Sequence, residues 1–317
     1  MKHLFWLGGI GLALNMGNVA NADGFDVLCV KPTTQIPFTY QECLNQKGVA
    51  RVGNVVQTPF GDFPYPFGLI DKTGKLILPA IYHEIDFPDD WAYDSYTEPS
   101  DALIVVAQRD SGESMFGKLG VDDTFGLVNE KGEFVVTMGF YDDIGGFSDS
   151  LSRVVKGDKY GYIDSRASVV IPIVYDYVGL YFTDGFASVK RQGKYGIIDK
   201  QNRPVIAFAY DDAEVLSGRL FAVAKDEQYA LISPDGKFLS DYQYEMIMPT
   251  HYGDTYVVRQ QGKYGLINEQ AEVLIAPNYD YVGVDFEKTY ADDNTNDKIY
   301  FKAELGDSTE SFAVTCK

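Results

Sequence analysis

A five-residue pattern that returns at a fixed spacing limits this chain's possible folds more than any other feature. It consists of an aromatic residue, a glycine, two apolar residues, then Asp or Asn. It appears as Phe67-Gly68-Leu69-Ile70-Asp71, Phe125-Gly126-Leu127-Val128-Asn129 and Tyr160-Gly161-Tyr162-Ile163-Asp164. It returns as Tyr195-Gly196-Ile197-Ile198-Asp199 and Tyr264-Gly265-Leu266-Ile267-Asn268, with a worn copy, Tyr229-Ala230-Leu231-Ile232-Ser233, between these two. The second residue falls at Gly68, Gly126, Gly161, Gly196, Ala230 and Gly265, in steps of 58, 35, 35, 34 and 35. Self-similarity at such a period marks an array of small supersecondary units stacked on one another. The long first step implies an insertion of about 23 residues, placed at about 87–110.

A second anchor trails the first in every copy. It is Tyr followed by an acid: Tyr141-Asp142, Tyr175-Asp176, Tyr210-Asp211, Tyr244-Glu245 and Tyr279-Asp280, with His83 intervening in Tyr82-His83-Glu84. Between the anchors each unit reads as three short strands. In one copy these are Phe186 to Arg191, Tyr195 to Asp199 and Val205 to Ala209, separated by turns at 192–194 and 200–203. Pro79, Pro172 and Pro277 are expected to end their third strands, since proline donates nothing to a ladder. The strand glycine predicts a close approach, with the aromatic ring of one unit lying against the glycine of the next. Ala230, the next smallest side chain, fits that packing role.

These anchors resemble the WG-repeat family, bacterial β-rich repeats named for a Trp-Gly dipeptide, with Tyr or Phe here where the name has Trp. Lys194-Tyr195-Gly196-Ile197-Ile198-Asp199 and Phe67-Gly68-Leu69-Ile70-Asp71-Lys72-Thr73-Gly74-Lys75 carry the resemblance, which covers roughly residues 45–285. It implies tandem arrays of variable copy number, a binding role, and no shared catalytic residues. Variable copy number implies an array that need not close. The expected fold is all-β: tandem three-stranded repeats forming an open β-solenoid or superhelix, with a closed six-bladed propeller-like array as the alternative. The expected organisation is a leader at 1–22, an N-terminal cap at 23–60, six repeats at 61–285 and a C-terminal cap at 286–317.

The leader rests on Lys2 and His3, an apolar run from Leu4 to Met16, and Ala20-Asn21-Ala22, the small-x-small pattern of a signal peptidase site. It predicts cleavage after Ala22 and a periplasmic or secreted protein, with no membrane insertion. Export removes Lys2, so the formal net charge moves from −19 to −20. Such a charge repels nucleic acid and anionic membranes and favours a cationic protein partner; an envelope polysaccharide is the alternative ligand. An oxidising compartment permits a disulfide among Cys29, Cys43 and Cys316, with Cys29–Cys43 the first choice.

Catalytic motifs are absent from the sequence, and only His83 and His251 follow the leader. No enzyme, cofactor or metal is therefore expected; Asp292 to Asp297 lacks the turn glycine of a calcium loop. Two binding surfaces are candidates. One is a ladder of Asp142, Asp176, Asp211, Glu245 and Asp280, unless these acids cap turns or pair with Lys159, Lys194 and Lys263. The other is the insertion, with Trp91, Tyr93 and Tyr96. A scaffold that binds a protein is the leading expectation. An inhibitor or immunity-type protein covering a basic toxin, a carbohydrate-binding module and a glycan-acting enzyme are its rivals.

Overall fold

The computed structural model describes residues 30–34, 36–45, 47–58, 61–87, 103–109, 123–217, 219–250, 252, 254–291 and 298–315. Its regular structure is almost all strand, folded into seven antiparallel sheets in which each strand pairs with its neighbour in sequence. The first sheet holds β1 (Tyr40–Gln41), β2 (Val49–Thr58), β3 (Gly61–Asp71) and β4 (Leu76–Tyr82). The second holds β5 (Glu84–Asp86), β6 (Ile104–Arg109), β7 (Asp123–Val128) and β8 (Phe134–Val136). The third holds β9 (Asp143–Ser148), β10 (Leu151–Lys156), β11 (Lys159–Asp164) and β12 (Val169–Tyr175). The fourth holds β13 (Tyr177–Val178), β14 (Phe186–Arg191), β15 (Lys194–Asp199) and β16 (Pro204–Tyr210). The fifth has three strands, β17 (Asp212–Ser217), β18 (Leu220–Lys225) and β19 (Gln228–Ile232). The sixth holds β20 (Met246–Pro249), β21 (Thr255–Gln260), β22 (Lys263–Asn268) and β23 (Val273–Tyr279). The seventh has β24 (Tyr281–Val284), β25 (Lys298–Leu305) and β26 (Ser308–Thr315), with helix α1 (Phe286–Ala291) between its first two strands.

The anchor explains why the sheets stack. Its two apolar residues are consecutive because the strand is buried on both faces. Ile197 packs into a core with Ala213, Phe221 and Val223 of the following sheet, and Ile198 into one with Tyr162 and Ile171 of the preceding sheet. Tyr162 and Ile163 divide in the same way, as do Leu266 and Ile267. Six such cores join consecutive sheets. A smaller seventh core covers the outer face of the first sheet with Ile36, Phe38 and Leu44. Among the described residues no ladder or core joins the first sheet to the last, so the array is open.

Several local expectations change. The three expected strands are present in every copy but that of the fifth sheet, which lacks the last of them, and a further first strand precedes them, starting right after the Tyr-acid pair. Tyr177 and Val178 pair with Lys190 and Val189, for example. The segment 23–60 contributes β1 and β2 to the first sheet, and the segment 286–317 contributes β25 and β26 to the seventh. The single insertion becomes two, because Ile104–Arg109 is the second strand of its sheet, with the extra residues on either side of it. Pro79, Pro172 and Pro277 lie within β4, β12 and β23 and do not end them. The ladder shifts register beside each, on an outer strand, where no donor is needed.

The glycine's role also differs. A Cβ on Gly196 would meet Ile206 O at 2.7 Å, and one on Gly161 would meet Ile171 O at 2.6 Å. Gly68 and Gly265 meet Leu78 O and Ile275 O in the same way, and Gly126 is crowded by Met138 and Val136. The close neighbour is thus the fourth strand of the same sheet, bulging inward, and not the ring of another unit. Ala230 proves the rule. Its sheet has no regular fourth strand, only isolated bridges from Tyr229 to Tyr244 and Ile232 to Phe238, so a methyl group fits.

The last anchor residue caps the turn into the fourth strand. Asp199 Oδ1 accepts the N–H groups of Gln201 and Arg203, both at 2.9 Å. Asp71, Asn129, Asp164 and Asn268 accept the same pair of N–H groups in their own turns. The turn then passes through a left-handed residue, φ +87° at Gly74 and 61° at Asn202, where Gly or Asn stands in four copies and Ala167 and Ala271 adopt the same conformation at 62°.

Candidate functional site

The acids of the second anchor sit where one sheet hands over to the next. Each takes the N–H of the following sheet's hairpin turn: Gly157 for Asp142, Gly193 for Asp176, Asp226 for Asp211, Gly262 for Glu245 and Gly306 for Asp280. Three of them also bind a lysine of the preceding sheet, Lys159 to Asp176 at 2.9 Å, Lys194 to Asp211 at 2.6 Å and Lys263 to Asp280 at 2.5 Å. Glu245 instead faces Arg259 of the following sheet, at 3.4 Å. The lysine holds the Asp176 and Asp211 carboxyls below the usual carboxylate range, with help from the turn N–H; at Asp280 the Gly306 N–H leads. These side chains recur at one place per unit, and their hydrogen bonds join neighbouring sheets. Trp91, Tyr93, Tyr96, Cys29 and the leader at 1–22 lie outside the described residues, as do Cys316 and the Asp292–Asp297 stretch. Cys43 is disulfide-bonded, and the Leu44 N–H donates to Val30 O at 2.8 Å.

A different set of residues gathers along the edge formed by the first strands. In five sheets the residue directly after the Tyr-acid pair opens that strand: Asp143, Tyr177, Asp212, Met246 and Tyr281. In the second sheet Glu84 opens it after Tyr82-His83. Side chains from consecutive sheets act on one another here. Crowding raises the Glu84 carboxyl to about 7, first by stripping water and then through Asp86 on its own strand, Asp123 on β7 and Asp143 in the next sheet. Glu84 nonetheless keeps 47% of its side chain exposed. His83 lies 3.2 Å from Asp123, and Arg153 pairs with Asp143.

Tyrosines continue this edge. Tyr177 stands between Tyr160 and Tyr195, with ring centroids 5.9 Å from each. Beyond them, Tyr229 donates its hydroxyl to Asp212 Oδ2 at 2.5 Å. Glu214, two residues along and exposed, is raised to about 7 by loss of hydrating water and by Asp212. The edge therefore offers two carboxylate clusters separated by a tyrosine wall. Such a surface recognises cationic groups by charge and by ring faces. Among the described residues no group of three or more His, Cys, Asp and Glu is arranged to hold a metal ion, and no helix is long and apolar enough to cross a membrane.

A family model described as the WG containing repeat matches residues 67–93, 125–160, 160–195, 195–229, 229–264 and 264–288. The chain belongs to the WG-repeat family. Its WG repeats are out of phase with its sheets. A repeat that starts at Tyr195 supplies the third and fourth strands of one sheet and the first and second of the next. No curated protein matches the chain. Among solved structures, a eukaryotic initiation factor is 11% identical, with 86% of this chain and 72% of that one covered at a TM-score of 0.44. Kluyveromyces lactis Hsv2p is 11% identical, with 74% and 75% covered at 0.37. BBS1N, solved in complex with ARL6DN, is 11% identical, with 92% and 94% covered at 0.31. None of these similarities bears on what this WG-repeat chain binds.

Sequence reasoning located the Tyr-acid anchor and stopped one residue short. Glu84, Asp143, Tyr177, Asp212 and Glu214 were absent from its candidates. For Glu84, Asp143, Tyr177 and Asp212 the available signal is the position directly after the anchor, which shares its period; Glu214 lies two residues further on.

Proposed function

We propose that this WG-repeat chain is an exported, non-catalytic scaffold that takes a cationic segment of a protein partner along its first-strand edge. One observation carries the reading. Carboxylates crowd the edge at two places, Glu84 with Asp86, Asp123 and Asp143, and Glu214 with Asp212, and the crowding and loss of water disfavour the charge of both glutamates. A Lys or Arg side chain brought to either cluster relieves that cost, whereas an anion adds to it. Tyr177 supplies a ring for the aliphatic stem and the cationic head, between Tyr160 and Tyr195, which already carry Arg153 and Lys190 over their rings. The leader of residues 1–22 supports a periplasmic or secreted location, and the net charge of −19 supports a basic partner such as a toxin or enzyme to be covered.

Titration calorimetry with a Lys/Arg-rich peptide checks this. Binding should weaken steeply as salt rises from about 0.05 to about 0.5 M, because exposed charges are screened over that range. Glu84→Gln with Glu214→Gln should weaken it about tenfold, while Asp211→Asn should leave it unchanged. Binding that ignores both salt and the two glutamates, yet disappears with Tyr177→Ala on a neutral glycan, would transfer the edge to carbohydrate recognition.

A further inference from the structure

The opposite edge of each sheet carries a second periodic surface. The ladders place Leu76, Phe134, Val169, Pro204, Phe238 and Val273 at one position in six successive sheets, each opposite the second apolar residue of its anchor. All six are exposed, Leu76 at 43%, Phe134 at 42%, Val169 at 51%, Phe238 at 46% and Val273 at 56%. The next residue is an exposed apolar one in four of the six, Val135, Val170, Leu239 and Leu274. Outer strands in contact with water ordinarily carry charges that discourage association. Here β4, β12, β16 and β23 contain no acid and no base, in a chain with 23% charged residues. Pro79, Pro172 and Pro277 deny these strands a full row of donors, so what this edge offers a neighbour is side chains more than a ladder.

From this stripe we infer that two copies of the chain associate through the starts of their fourth strands, related by a two-fold axis. Exposed apolar surface on this scale marks an interaction site. A row of apolar pairs that recurs once per repeat is matched by a surface of the same spacing, and a second copy has it. The residues just before the apolar pairs set the direction. In order they are Lys75, Glu133, Ser168, Arg203, Lys237 and Glu272, all exposed. Laid against a copy in the same direction, each charge meets its twin. Laid in reverse, Lys75 faces Glu272, Glu133 faces Lys237 and Ser168 faces Arg203. A two-fold axis produces the reversed pairing, because it sets residue i against j and j against i. Hydrogen bonds already orient three of these groups: Glu133 to Asn129, Glu272 to Asn268 and Arg203 to Asp199. The net charge of −19 opposes association through the acidic faces, which leaves the uncharged stripe as the place of approach. The first-strand edge stays free in such a pair.

Sedimentation velocity on the full chain tests this. We expect a reversible dimer at micromolar concentration. Val169→Glu with Val273→Glu should weaken it at least tenfold while leaving the thermal melt of the monomer unchanged, because both side chains are exposed. Lys75→Glu should weaken the dimer, and adding Glu272→Lys should restore it. A monomer at every concentration up to about 100 µM overturns the inference. So does a dimer indifferent to the valine pair, or one in which the charge exchange gives no recovery.

Discussion

At the scale of single residues, the anchor is five separate physical demands written in five letters. Gly196 is glycine because the fourth strand leaves no room for a methyl group, with Ile206 O only 2.7 Å from where it would lie. Gly196→Ala should therefore cost about 2–4 kcal/mol of unfolding free energy, as overpacking against backbone does. Ala230→Gly should cost about 1 kcal/mol, the ordinary entropic penalty of a strand glycine. Urea denaturation of the two variants measures the difference; equal losses would contradict the assigned role of the close approach. Asp199 is Asp or Asn in most copies because two turn N–H groups need one acceptor oxygen. The second apolar residue exists because a sheet lies on each side.

Among the elements, the offset between repeat and sheet matters most. Each WG repeat gives strands to two sheets, so no repeat is a self-contained unit, and neighbours are interlocked by ladders as well as by cores. Removing one whole period preserves the strand order of every remaining sheet; removing half a period does not. A chain lacking Gly196 to Tyr229, so that Tyr195 runs into Ala230, should still unfold cooperatively at a somewhat lower temperature, since stability in such arrays sums over neighbouring interfaces. Deleting only Gly196 to Asp212 should abolish the cooperative transition, because it strips the third and fourth strands from one sheet. Calorimetry of both forms distinguishes interlocked sheets from independent modules. Charge pairs add specificity between sheets: Asp149 binds Lys200, and Arg219 binds Glu269 at 3.0 Å with the signs exchanged.

For the whole molecule, two groups of acids pull stability in opposite directions with pH. Asp71, Asp176, Asp211 and Asp280 titrate below their ordinary value of 3.8 in the folded chain. Their contribution is present above that value and is lost as pH falls through the folded values. Glu84 and Glu214 are raised from 4.5 to about 7, so the folded chain binds more protons than the unfolded one in between. Stability should thus fall as pH rises from about 4.5 to about 7. With the glutamate tips open to solvent, screening leaves on the order of 1 kcal/mol for each. Thermal melts should peak on the acid side of neutrality, and Glu84→Gln with Glu214→Gln should flatten the decline. A profile that rises steadily to pH 8 in the unaltered chain would remove the strain assigned to that edge.

By itself the sequence determined the period, the turn chemistry and the family, because all of these are local patterns repeated six times. It also offered turn capping and lysine pairing as the alternative to a ligand ladder for Asp176, Asp211 and Asp280. The partners that cap and pair these acids come from neighbouring sheets, which only the tertiary structure brings to them. The first strands were illegible for a related reason. Tyr177–Val178 is two residues long and carries no periodicity of its own; it is a strand because Val189 and Lys190 wait beside it. Both edge surfaces, acidic and aromatic on one side and apolar on the other, exist because stacking aligns equivalent positions that lie some 35 residues apart in the chain. A linear reading meets those positions one at a time, and the fold sets them side by side.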